Sequence, residues 1–90
     1  MPTAYILLNI KPDTETDVIE GIKAMLKFVS SVKYEIQGVY GVYDMVLKIE
    51  TKGMEDLWHL VAETRRIGKI QSTITMLVNE KQEWSSFYFT

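Results

Sequence analysis

Val32-Lys33-Tyr34-Glu35-Ile36, then Gly38-Val39-Tyr40-Gly41-Val42-Tyr43-Asp44, then Met45-Val46-Leu47-Lys48-Ile49-Glu50: this stretch decides the fold. Its two flanks alternate apolar and polar residues with the period of a β-strand. Between them Gly38 and Gly41 let the backbone turn sharply or approach a ligand closely. The whole reads as a hairpin, with strands over about residues 32–40 and 43–51. Asp44 stands near the start of the returning strand, where aspartate has low propensity. A negative charge, several backbone N–H groups and two tyrosines thus meet at the tip. Such a tip can serve as a socket for a small zwitterion, and it can equally be a plain hairpin that binds nothing.

Working outward, residues 4–10 are short and apolar and stop before Pro12, which reads as a strand. Pro12-Asp13-Thr14 is a turn, and Thr14 or Thr16 is placed to cap a helix. Val18, Ile22, Met25, Leu26 and Val29 recur at helical spacing, predicting an amphipathic helix over 15–29. Lys52-Gly53 is the next break. Leu57, Leu60, Val61 and Thr64 then share one side of a helix over 54–66, with Gly68 at a helix-stopping position. Ile70 to Asn79 is β-branched and alternating, a final strand. The order β-α-β-β-α-β is the ferredoxin-like pattern of the α+β class: a four-stranded antiparallel sheet with two helices on one face. Residues 1–80 form this domain, and residues 81–90, with Trp84, Phe87, Tyr88 and Phe89, follow it as an aromatic tail.

Ninety residues make one domain, and one this small buries only about 60–65% of its unfolded surface, so association with copies of itself would help it. A net charge of -2 without a basic run argues against non-specific nucleic-acid binding, which works by neutralising phosphates. No cysteine is present, so neither disulfides nor thiolate chemistry arise. Apolar runs fall well short of a membrane span, and Met1-Pro2-Thr3 leads almost directly into a strand without a secretory signal, so the expected location is cytoplasmic.

The face of the sheet away from the helices reads as too apolar for water. Tyr5 and Leu7 form one alternating set of the first strand, Val46 adds to it, and Leu77 is assigned to the same face from the last strand. Uncovered, this row would be an unusually large apolar patch, so two sheets are expected to pack face to face in a homodimer.

Chemistry-bearing residues are sparse. His59, the sole histidine, has Glu55 and Glu63 four residues to either side, a spacing routine on solvated helices. Gln71, Ser72, Thr73 and Thr75 are polar groups able to orient a ligand, although threonine is common in strands. Asp44 either accepts hydrogen bonds from nearby N–H groups, a structural role, or accepts them from a ligand ammonium. No phosphate-binding glycine fingerprint, nucleophile–base pair or metal-ligand spacing occurs. Neither a catalytic residue nor a metal or other cofactor is expected.

Ala4-Tyr5-Ile6-Leu7, the turn Gly41-Val42-Tyr43-Asp44 into Met45-Val46-Leu47-Lys48, and the run Ile70-Gln71-Ser72-Thr73-Ile74-Thr75 together resemble the effector-binding (RAM) domain of the Lrp/AsnC transcriptional regulators. The resemblance covers residues 3–80. It implies a domain that dimerises through its sheets, assembles into rings of eight or ten subunits, and binds an amino acid between dimers. By position it implies ligand contacts from Gly38, Val39, Tyr40, Gly41, Tyr43 and Asp44, with Asp44 at the α-ammonium and backbone N–H groups around Gly38–Gly41 at the carboxylate. Gln71, Ser72, Thr73 and Thr75 complete that set. The family's regulators carry a helix-turn-helix before this domain, whereas this chain starts at the first strand. The expectation is therefore a stand-alone form without direct DNA contact, acting alone or with full-length relatives. The reading is a non-enzymatic amino-acid-binding module that regulates transcription or amino-acid metabolism indirectly. Its alternatives are a structural interaction module without ligand and a small dimeric α+β-barrel enzyme.

Overall fold

A computed structural model describes residues 1–79. Its elements are β1 (Thr3–Ile10), α1 (Glu15–Leu26), β2 (Lys33–Gly38), β3 (Met45–Glu50), α2 (Met54–Thr64) and β4 (Ile70–Leu77). The strands form one antiparallel sheet in the order β2-β3-β1-β4, so the expected ferredoxin-like α+β fold is the fold observed. The aromatic tail lies outside the described residues.

The core lies between sheet and helices. Ala4, Ile6, Leu8 and Ile10 alternate into it from β1, and Met45, Leu47 and Ile49 from β3. Val18, Ile22 and Leu26 close it from α1; Leu57, Leu60 and Val61 do so from α2. The helical stripes sit where the apolar spacing puts them. Gly21 faces the C-terminal end of the α2 segment, where a Cβ would stand 3.3 Å from Ile67 Cγ2.

Both helices end earlier than their apolar spacing suggests. After Leu26 the N–H groups of Lys27, Phe28 and Val29 bond to carbonyls three residues back, and Arg66 and Ile67 repeat this after α2. The last turns thus tighten into 3₁₀ geometry while the side chains keep their helical placement. The expected helix signals fare unevenly. Thr14 is the N-cap residue of α1 but does not cap with its side chain, since its hydroxyl donates to Lys11 O at 2.6 Å. Gly68 does not adopt a left-handed conformation; α2 ends on Arg65 in a right-handed one. The hairpin strands are shorter than expected because Val39 N–H closes onto Asp44 O at 2.9 Å, leaving residues 39–44 as a loop outside the ladder.

The register corrects one interface assignment. Leu77 pairs with Ala4, Thr75 with Ile6 and Thr73 with Leu8, so these three residues of β4 lie on the helix side of the sheet. The open side carries Met76 opposite Tyr5 and Ile74 opposite Leu7. Tyr5, Leu7 and Val46 do share that open face, with Lys48 Nζ 5.7 Å from the centre of the Tyr5 ring. Leu77 does not belong with them. Both alternating sets of β4 contain apolar and polar residues, so alternation alone left its facing undecided; pairing with β1 decides it.

Candidate functional site

The C-terminal ends of β1 and β2 and the start of β3 lie together at one end of the sheet. The glycine loop hangs from that end. Gly41 has φ +138°, a backbone conformation that side chains resist, so the loop's shape depends on glycine there. At Gly38 a Cβ would meet no neighbour, so this second glycine is not required by packing.

Asp44 locks the loop to the central strand. Its N–H donates to Leu8 O at 2.9 Å, and its Oδ2 accepts from Ile10 N–H at 2.9 Å. The residue is nonetheless exposed, and its other carboxylate oxygen makes no hydrogen bond among the described residues. The structural reading of this acid accounts for one of its oxygens. That oxygen has a structural task, where β1 leaves the ladder and its Ile10 N–H needs an acceptor.

Beside it is a cleft of about 600 Å³. Gly38, Val39, Tyr40 and Asp44 line it from the hairpin; Ile10, Lys11, Pro12 and Glu15 line it from the turn into α1. Its walls are apolar at Ile10, Pro12, Val39 and Tyr40, and charged at Lys11, Glu15 and Asp44. A small molecule with an amine, a carboxylate and an apolar body would find a complement for each part here. The β1–α1 turn is a contribution that the sequence reading missed. Lys11 and Glu15 looked like loop and helix-start residues, and only folding brings them opposite the hairpin. In the expected backbone cradle, Val39 N–H is already used within the loop, whereas the N–H groups of Tyr40 and Gly41 donate to no described acceptor.

The polar start of β4 does not join this cleft within one subunit. Ser72 lies on the open face, where Asn9 Nδ2 donates to its Oγ at 3.4 Å. Gln71 is exposed at the register shift opposite Asn9 and Ile10. Thr73 and Thr75 turn to the helix side, and Thr75 Oγ1 is buried. Gly41 and Tyr43 belong to the loop but do not line the cleft. His59 is exposed on α2, and neighbouring Glu63 faces Arg66 across 3.6 Å. No group of acidic, histidine or cysteine side chains among the described residues is placed to hold a metal ion.

The four-stranded antiparallel sheet with two helices on one face places the chain in the ferredoxin-like class of α+β folds. The solved structure of FFRP-DM1 is similar over its entire length: 36% of residues are identical, 88% of this chain and 100% of that one are covered, and the TM-score is 0.71. Escherichia coli AsnC is 24% identical with a TM-score of 0.59, covering 92% of this chain and 55% of its own. The transcriptional regulator NMB0573 of Neisseria meningitidis, solved as an L-Met complex, is 19% identical with a TM-score of 0.62, covering 94% and 54%. This chain thus spans about half the length of those two proteins. No family model matches the sequence, and no curated protein does. The chain belongs to the Lrp/AsnC family and has the fold of its RAM domain.

Proposed function

We propose that this protein binds a small amino acid at the hairpin cleft and acts as a regulatory module rather than as an enzyme. The observation that carries the reading is the half-engaged Asp44 carboxylate. Its Oδ2 is held by Ile10 N–H, its other oxygen has no partner among the described residues, and the residue lines the cleft. An ammonium group meeting that oxygen would form a charge-assisted hydrogen bond, of the kind that contributes about 1.5–3 kcal/mol where shielded and less where solvent screens it. Lys11 and the N–H groups of Tyr40 and Gly41 are the candidate partners for the α-carboxylate. A structural neighbour supports the reading: the transcriptional regulator NMB0573 of Neisseria meningitidis was solved with L-Met.

The oligomer belongs to the same proposal. Two copies pair through Tyr5, Leu7, Val46, Ile74 and Met76 on the open faces. Such dimers assemble into a ring of eight or ten, which would bring Gln71 and Ser72 of one subunit toward the cleft of another. The module acts from the cytoplasm, alone or with full-length relatives; among the described residues no helix is long and apolar enough to cross a membrane.

Thermal unfolding in the presence of each of the twenty amino acids tests the ligand. A binder at a hundredfold excess over its Kd stabilises by about 2.7 kcal/mol, a readable rise in Tm. If none of them raises Tm, the Asp44–Ile10 bond is the whole role of that acid and the protein is an interaction module without ligand.

A further inference from the structure

The charges around the hairpin cleft do not balance. Asp44 lines it from the hairpin, Lys11 from the turn after β1, and Glu15 from the first turn of α1. Two of these are acids and one is a base. Lys11 and Glu15 stand four residues apart and share the cleft, yet no ion pair joins them among the described residues, and neither pairs with Asp44. The Glu15 carboxylate accepts no hydrogen bond among the described residues either. An acid in the first turn of a helix is at home beside the helix dipole, but Asp17 fills that place as well.

The surroundings leave the excess in place. From Lys11 to Asp17 the chain reads Lys-Pro-Asp-Thr-Glu-Thr-Asp, one base against three acids. The N-terminal end of α1 adds the equivalent of about half a positive charge, which offsets part of one carboxylate and no more. Gln71 and Ser72, which the proposed ring would bring from another subunit, are uncharged.

An α-amino acid brings one ammonium and one carboxylate on its main chain. Asp44 and Lys11 match these, and Glu15 is left over. A neutral side chain seated in the cleft would strip water from that carboxylate and return no partner. An acidic side chain would set a like charge beside it. A cationic side chain matches it. The other walls suit the same ligand: Ile10, Pro12 and Val39 offer apolar surface to a methylene stem that carries its charge at the tip. Tyr40, fully exposed and lining the same cleft, adds an aromatic ring, and rings attract cations at their faces.

Resting on the amino-acid reading proposed above, we infer that the ligand is an amino acid with a cationic side chain, and that Glu15 is the residue that selects it. Asp44 takes the α-ammonium, Lys11 the α-carboxylate and Glu15 the side-chain cation. The β1–α1 turn thereby sets specificity, while the hairpin supplies the contact common to all amino acids.

Calorimetry on the assembled full-length protein tests this with three pairs of ligands: L-lysine with L-norleucine, L-ornithine with L-norvaline, and L-arginine with L-citrulline. Each pair keeps a similar stem and differs in the side-chain charge. At least one cationic member should bind about fivefold tighter than its counterpart, the effect of one charge pair in an open cleft. Raising the salt concentration should narrow that gap. Glu15→Gln should bring the pair within about twofold by weakening the cationic ligand alone, with far-ultraviolet circular dichroism unchanged. Uncharged members that bind as tightly in all three pairs, or a preference that survives Glu15→Gln, overturn the inference and leave the amino-acid reading standing. Failure of every amino acid to bind overturns that reading, and this inference with it.

Discussion

The proposed function asks two things of the Asp44 carboxylate, and substitutions can separate them. Asp44→Asn keeps an oxygen for Ile10 N–H but removes the charge, so it should leave urea stability within about 0.5 kcal/mol while abolishing amino-acid binding by calorimetry. Asp44→Ala loses both, and should also cost about 0.5–1.5 kcal/mol, the usual net worth of one hydrogen bond. Unchanged affinity in Asp44→Asn would show that no ammonium meets this oxygen. Gly41 has a different dependence. At φ +138° a Cβ is strained whatever the space around it, so Gly41→Ala should destabilise by about 1–3 kcal/mol in urea unfolding. Gly38→Ala, with nothing near its Cβ and no positive φ, should be close to neutral.

At the scale of elements, β4 divides its residues between two environments. Ile74 and Met76 look out from the open face, and Thr73, Thr75 and Leu77 look toward the helices. Ile74→Lys is therefore the substitution that should split a face-to-face dimer, read as a fall in mass by light scattering. A variant that keeps the parent mass would exclude this face as the interface. Leu77→Lys should preserve the pairing, because its side chain lies behind the sheet. In α2, Leu60 is wholly buried against α1 and the sheet. Leu60→Ala should cost about 2–5 kcal/mol, by loss of apolar burial and by the cavity it leaves. The helix ends carry less of the stability: the 3₁₀ turns after Leu26 and Thr64 keep the backbone bonded without a side-chain or glycine cap.

For the whole molecule, a two-layer domain of this size leaves one face of its sheet without a covering layer, and the proposed dimer would bury it. The order of elements, the helical stripes, the strand period and the glycine hairpin were all legible in the sequence, because each depends on neighbours within a few residues. So was the position of Asp44 at the hairpin, an acid beside a strand where acids are unfavourable. The facing of β4 was not legible, since both of its alternating sets mix apolar with polar residues and the choice falls to pairing with β1. Nor were Lys11 and Glu15 as walls of the cleft, or the separation of Thr73 and Thr75 from it. Local periodicity by itself determined which segments become helix and strand and in what order they follow. Only the tertiary structure decided which faces meet, because contact between residues distant in the chain depends on ladder register and on where the helices lie, and neither is written in the spacing of adjacent residues.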